Sequence, residues 1–399
     1  MAKRTQIAAG LDLGSAWTRL VVLSLENGLV RYLTHAAEVS RGWHRGQIAD
    51  PDAVAACVRQ VFEQCERKLR EPVNSAVVGV GGPAIRCKQG RGRYELRYRR
   101  RVQHEDIVQA LKLAARTPVE HDQIALQVLP QDFTADGRPP IPHPLNVECE
   151  LLEAHALIIT AARQDHQAVL NAVQQAGVQV EETVFEAMAA AYACILPEER
   201  ASGVALLDIG AHSSNLLFYD GDAMLFAAGL PVSGDHFTRD ISTVHGFSYE
   251  DAERLKLAHG CAHAAPASEH TIIELPAEGG RGRREISRRE LVETLEARAG
   301  QLFEIVESCR QRYARDLQLG EGLVLCGGGA LLEGMVQEAE RLLRCPARLG
   351  LTRGVLEWPE ELCSPVWTAA AGLAMYSARL QSRRETAGST GLFGLFRGK

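Results

Sequence analysis

Two aspartates recur in one setting. Gly10-Leu11-Asp12-Leu13-Gly14-Ser15-Ala16-Trp17-Thr18 places a carboxylate and small residues at the end of an apolar run, and Leu206-Leu207-Asp208-Ile209-Gly210-Ala211-His212-Ser213-Ser214 repeats the order half a chain later. Glycine has no Cβ, so backbone N–H groups at Gly14 and Gly210 come within bonding range of phosphate oxygens. Asp12 and Asp208 then stand where a magnesium ion on a polyphosphate meets carboxylate and water oxygens. Ser213 and Ser214 add hydroxyl donors. One such turn is an ordinary hairpin; two suggest duplicated lobes that face one another. Neither is a P-loop, since no Gly-Lys-Ser/Thr follows, and the first does not open directly into a helix as a dinucleotide fingerprint would. A third segment, Leu323-Val324-Leu325-Cys326-Gly327-Gly328-Gly329-Ala330, ends a strand in three glycines. Their backbone entropy cost is better explained by a flat ligand than by packing, and a helix over Ala330 to Leu343 would turn its positive end toward an anion. Together the three segments predict ATP, with Mg2+, held between two lobes.

These residues need strands to present them. Ile7–Leu13 and Arg19–Leu25 read as strands around the first turn, with Asn27-Gly28 a hairpin signal before Val30–Thr34. A helix is predicted over Pro51–Leu69, with Asp50 as N-cap and Val54, Val58, Val61, Cys65 and Leu69 on one face. Val73–Val80 reads as a buried strand. From about 84 the text turns polar and turn-rich, with a basic run over Arg91–Arg101 and prolines 139, 140, 142 and 144. A helix over His104–Ala115 and a strand over Ala156–Thr160 mark a small α+β insert there. Gln164–Ala176 and Thr183–Ile195 read as helices, Val204–Leu207 and Asn215–Tyr219 as strands. Ser287 to Leu317 reads as a long helix and Trp367–Leu380 as the last packed one. The expected plan is α/β: 1–83 first-lobe core, 84–163 insert, 164–201 completion of the first lobe, 202–380 second lobe with a peripheral part about 236–301, then a polar linker 381–390 and a tail 391–399.

Composition narrows the class. A chain of 399 residues, 46% hydrophobic and 24% charged, has material for more than one core. A net charge of −6 argues against a general nucleic-acid partner. Ten cysteines without a CxxC pair read as reduced thiols of a cytoplasmic protein. No signal peptide is expected at the N-terminus, and no run is apolar and long enough to span a bilayer. The tail is different: Leu392, Phe393, Leu395 and Phe396 gather on one side of a helix, with Arg397 and Lys399 at headgroup level, which suits the surface of an anionic membrane. His259, Cys261 and His263 have metal-ligand types, but their two-residue spacing diverges on a helix and a structural role is expected. The Arg91–Arg101 run alternates with Tyr94, Leu96 and Tyr98 and reads as a charged sheet edge rather than a nucleic-acid surface.

With Glu186-Ala187-Met188-Ala189-Ala190-Ala191-Tyr192-Ala193, Gly234-Asp235-His236-Phe237, Ala252-Glu253-Arg254-Leu255-Lys256 and His259-Gly260-Cys261-Ala262 added to the three turns, the chain resembles the actin, Hsp70 and sugar-kinase superfamily. Within it, the text is similar to the FtsA family of bacterial cell-division proteins, including Pro130-Gln131-Asp132-Phe133 in the insert. The resemblance implies an actin-like fold with ribonuclease-H-like lobes. It carries Thr18 and Arg19 to the first phosphate loop, Glu253 and Lys256 to the adenosine side, and Glu186 to the position of a water-orienting glutamate. It also implies self-association into filaments, recruitment of later division proteins through the insert, binding of the C-terminal peptide of FtsZ, and peripheral attachment to the inner face of the cell membrane. The second loop departs from the family's Asp-Ile-Gly-Gly-Gly-Thr-Thr-Asp: Ala211 and His212 add side chains near the terminal phosphate and Asn215 replaces a carboxylate. ATP binding with slow or absent hydrolysis is therefore expected, at most a weak ATPase. A pilus-assembly relative or a small-molecule kinase of the same superfamily are the alternatives.

Overall fold

In the computed structural model, which describes residues 6–26, 28–263, 271–276 and 283–387, the chain forms two lobes built on one plan. β1 (Gln6–Leu13), β2 (Trp17–Glu26) and β3 (Leu29–Val39) make an antiparallel meander. β4 (Trp43–His44) and β5 (Gln47–Ile48) add a small hairpin. α1 (Pro51–Leu69) then starts where Asp50 accepts a hydrogen bond from the Ala53 N–H at 3.1 Å, and it buries Val54, Val58, Val61 and Cys65. β6 (Ser75–Val80) returns parallel to β1.

The insert follows: β7 (Arg86–Arg101), α2 (His104–Ala114), β8 (Gln123–Ala135) and β9 (Glu148–Ala162). Its sheet runs β7-β9-β8, and Leu96, Leu111, Phe133 and Leu152 give it a core of its own. β7 is an edge strand whose exposed positions include Arg91, Arg93, Arg97 and Arg99, a row of charge that discourages further strand pairing. α3 (Arg163–Gln175) and β10 (Gln179–Phe185) complete the first sheet in the order β10-β6-β1-β2-β3, and α4 (Glu186–Cys194) and α5 (Pro197–Ala201) lead out of it.

The second lobe repeats the meander as β11 (Val204–Ile209), β12 (Ser214–Asp220) and β13 (Ala223–Leu230). α6 (Gly234–His245), α7 (Tyr249–His259), β14 (Ile272–Pro276), β15 (Arg283–Ser287) and α8 (Arg288–Tyr313) follow. β16 (Leu323–Cys326) lies parallel to β11, and after α9 (Met335–Leu343) comes β17 (Ala347–Leu349), giving β13-β12-β11-β16-β17. Exchanging β13, β12, β11, β16 and β17 for β3, β2, β1, β6 and β10 reproduces the first sheet. α10 (Thr368–Ala387) crosses back to the first lobe. A Cβ at Gly10 would overlap the α10 backbone at Ala370 and Ala374, and one at Gly372 would overlap the Ala189 carbonyl of α4. Glycine at these two positions lets α10 lie directly on β1 and α4.

Several elements differ from expectation. Thr183–Ile195 is not one helix: Thr183, Val184 and Phe185 end β10, because β-branched and aromatic residues beside β6 favour a buried parallel strand. The helix expected from Ala330 begins at Met335. A 3-10 turn over Gly328–Leu331 comes first, Leu332 is extended, and Gly334 at φ +82° turns the chain. Residues 381–387 of the expected linker continue α10, since the segment holds no glycine or proline before Gly388. The tail at 391–399 lies outside the described residues.

Candidate functional site

The equivalence of the two meanders sets the site. In β1–β2, Asp12 pairs with Arg19 and Leu13 with Thr18; in β11–β12, Asp208 pairs with Asn215 and Ile209 with Ser214. The two aspartates are therefore register mates at matching strand ends. Their partners break the symmetry, a cation in one lobe and an amide in the other.

Asp12 and Asp208 are 8% and 9% exposed. Glu186, the first residue of α4, joins them; it keeps some exposure, yet desolvation dominates its chemistry. Burial pushes its carboxyl well above the ordinary range, and the charges of Asp12 and Asp208 push further. Asp208 is pushed up to about 7, by burial first and by Asp12 second, against the pull of Arg19. Asp12 is raised by burial and partly relieved by Arg19, whose Nη1 stands 3.7 Å from Asp12 Oδ2. The Arg19 guanidinium lies between two indoles, 5.8 Å from the Trp17 ring centre and 5.7 Å from that of Trp367, so its direction is fixed by aromatic faces. Burial lowers its own value, opposed by Asp12 and Asp208.

Glycines admit these groups. A Cβ at Gly79 would lie 2.7 Å from Glu186 Cγ, and one at Gly81 would lie 2.8 Å from Asn215 Nδ2. Asn215 Oδ1 accepts from the Gly82 N–H at 3.2 Å, so the residue that replaces a family carboxylate ties the two lobes together. Gly14 and Gly210 close their turns against the carbonyls of Trp17 and Ser213, with Gly210 N–H donating to Ser213 O at 2.8 Å. In the third segment Gly327 takes φ +78°, and its Cα sits against Asp208 and Ile209; Gly328 has open space where a side chain would stand.

Not every expected residue faces a ligand. Thr18 is fully buried and shares a 2.8 Å hydrogen bond with Ser40 Oγ, which itself donates to Gly14 O at 2.7 Å. Thr18 therefore braces the first turn from behind. Ser214, its register mate, is also fully buried, and its Oγ has no partner among the described residues. Ser15 and His212 instead meet each other, Ser15 Oγ to His212 Nδ1 at 3.0 Å. Lys256 Nζ donates to Gly234 O at 3.2 Å and to Thr238 Oγ1 at 2.8 Å and pairs with Glu253 at 2.7 Å. This packs α7 onto the start of α6, which the second turn holds through Gly234 N–H to Gly210 O at 2.9 Å and Asp235 N–H to Ala211 O at 2.7 Å.

Sequence reading missed Asp235, Ser40, Trp367 and the Gly81–Gly82 pair. All but Asp235 come from loops or strand ends remote in sequence, and nothing local marks them. Among the described residues the only three potential metal ligands within 4.8 Å of one another are His263, Glu296 and Glu338. His263 Nδ1 lies 3.1 Å from Glu338 Oε2. Arg341 already holds Glu338 through both carboxylate oxygens, which makes a structural ion pair the better account.

A cavity of about 520 Å³ lies behind the cleft, between β8 of the insert, α4 and α10, lined by Leu126, Val128, Met188, Ile195, Met375 and Tyr376 among others. No helix of the described residues is long and apolar enough to cross a membrane.

The comparisons follow this anatomy. The family model "Cell division protein FtsA" matches residues 205–372, and "SHS2 domain inserted in FTSA" matches 82–160. Cell division protein FtsA of Pseudomonas aeruginosa is 29% identical over 94% of this chain and 90% of its own length. That of Bacillus subtilis is 28% identical over 95% and 86%. Among solved structures, a PilM-PilN type IV pilus biogenesis complex superposes with a TM-score of 0.67 at 18% identity, covering 93% of this chain and 98% of that one. MreB5 of Spiroplasma citri bound to ADP gives 0.56 at 14% identity, covering 96% and 99%. The structural likenesses give the fold, two actin-like lobes. With two FtsA models falling on the insert and the second lobe, and relatives aligned along nearly all of its length, the chain belongs to the FtsA family of cell-division proteins.

Proposed function

We propose that this chain is a nucleotide-gated scaffold of cell division. It binds ATP between its lobes, closes on it, and in that form tethers FtsZ polymers to the inner face of the cytoplasmic membrane. The observation that carries the reading is the convergence of Asp12, Asp208 and Glu186, with Arg19 fixed against the two aspartates, beside two glycine turns and an open Gly328. Asp12 and Asp208 share the guanidinium of Arg19 while Glu186 adds a third carboxyl beside them, and a divalent cation with polyphosphate oxygens relieves the repulsion in this desolvated place. The donors fit Mg2+: they are hard oxygens, and they do not converge closely enough to ligate an ion by themselves, which suits an ion held through water and phosphate. Asp12 and Asp208 would hold it. When bound, the ion would neutralise phosphate charge.

Hydrolysis is slow on this reading. Ala211 and His212 put side chains where the family has glycines, and Asn215 stands where it has a carboxylate, so alignment of an attacking water is the step that suffers. Nucleotide is then a conformational ligand. Recruitment of later division proteins belongs to the insert, which presents β8 to the 520 Å³ apolar cavity and contacts the second lobe through Gly229 N–H to Ile85 O at 3.0 Å. The insert is thus placed to register lobe movement.

The test is calorimetric titration with MgATP. Asp12→Ala is expected to weaken binding by at least about tenfold, from the loss of a charged metal-facing group. Unchanged affinity would remove Asp12 from the site, and no binding by the unaltered protein would end the nucleotide reading.

A further inference from the structure

A chain of side chains crosses the mouth of the cleft. His212 Nδ1 shares the 3.0 Å hydrogen bond with Ser15 Oγ of the opposite lobe, and His212 Nε2 stands 3.9 Å from Asp235 Oδ1. Asp235 is itself 7% exposed and fixed: Tyr249 donates its hydroxyl at 2.8 Å, and Arg239 Nε pairs with it at 2.5 Å. At the base of the side chain, the β4–β5 hairpin comes close enough that a Cβ at Gly46 would lie 3.1 Å from His212 Cβ. The imidazole is held from the first lobe by Ser15, with Gly46 close to the His212 Cβ and backbone, and faces Asp235 in the second. Both of its nitrogens are directed at protein.

We propose that His212 is a specificity-determining residue that biases this cleft toward nucleoside diphosphate over triphosphate. The inference rests on the nucleotide reading above. The two turns meet at Ser15 and His212, so a polyphosphate lying between them brings its terminal group to that contact. A triphosphate must take the Ser15 hydroxyl from the imidazole; a diphosphate stops short and leaves the Ser15–His212 bond in place. The imidazole thus supplies from the protein an interlobe link that a terminal phosphate would otherwise make. The competition is selective because it involves only the last phosphate. General loosening of the turn would weaken both nucleotides alike.

Wild type, His212→Gly and His212→Gln are titrated with MgADP and with the magnesium complex of a non-hydrolysable ATP analogue, and melting curves check that each variant is folded. Wild type is expected to bind the diphosphate more tightly. His212→Gly is expected to raise affinity for the triphosphate analogue about tenfold, the scale of one exchanged hydrogen bond to a charged group, while diphosphate affinity stays within about twofold. His212→Gln retains a group for Ser15 and should lie nearer wild type. An equal change for both ligands in His212→Gly, or a fall for the triphosphate alone, overturns the proposal and leaves nucleotide binding standing. Failure of folded wild type and folded His212→Gly to bind either ligand overturns both readings.

Discussion

Asp208 is the residue at which the cleft's electrostatics become measurable. Its carboxyl, pushed up to about 7 from 3.8 by burial and by Asp12, binds its proton more tightly folded than unfolded. A raised folded value adds stability below the unfolded one and loses it as pH rises through the folded one, so this cost accumulates between about pH 4 and pH 7. At 1.36 kcal/mol per unit it amounts to about 4 kcal/mol at most, less whatever Asp12 shares. Asp208→Asn keeps the shape and removes the charge. The expected outcome is a melting temperature higher by roughly 5 °C at pH 8 and little changed at pH 4, read by scanning calorimetry. A uniform shift at both pH values would mean that packing, not charge, is responsible. At this scale the sequence was legible where chemistry is local: Asp12 and Asp208 announce themselves by their glycines. Thr18 is named by the family resemblance alone, and its bond to Ser40 depends on a strand pairing that residue types do not reveal.

Elements owe their positions to close approaches that a sequence pattern registers poorly. α10 rests on β1 at Gly10 and on α4 at Gly372, and a Cβ at Gly372 would overlap the Ala189 carbonyl oxygen. Alanine improves helix propensity by about 1 kcal/mol over glycine. At Gly372 that gain is opposed by a backbone atom that cannot move without shifting α4, and overpacking of this kind costs about 1–3 kcal/mol. Gly372→Ala is expected to lower the midpoint of urea unfolding. Gly300→Ala, in α8 where the nearest atom is Leu342 Cδ1 at 4.0 Å, is expected to raise it. Opposite signs for one chemical change would locate the difference in packing. The long helices α1 and α8 were readable from periodicity, since an apolar stripe is a property of the segment alone. The charged alternation of Arg91 to Arg101 marked β7 as a sheet edge, but β8 and β10 were not readable, because Gln123 to Ala135 and Gln179 to Phe185 become strands only beside their neighbours.

For the whole molecule, the two sheets of equal order make the cleft a meeting of like with like, and the tail at 391–399 is proposed to join that body to a membrane. Four large apolar side chains, Leu392, Phe393, Leu395 and Phe396, are worth at most roughly 6–12 kcal/mol on full burial, reduced by the glycines among them. A single copy should hold weakly and an assembly firmly. Removal of Gly391 to Lys399 is expected to abolish flotation with anionic liposomes while MgATP affinity stays unchanged; continued flotation would refute the tail as anchor. The Trp17–Arg19–Trp367 stack has a last consequence, which is optical. The chain has four tryptophans, and two of them, Trp17 at 42% exposure and Trp367 at 9%, flank the one guanidinium that faces the carboxylates. Half of the protein's indoles therefore stand at the cleft, one wet and one dry, and opening or filling of the cleft is expected to shift the colour of its own light.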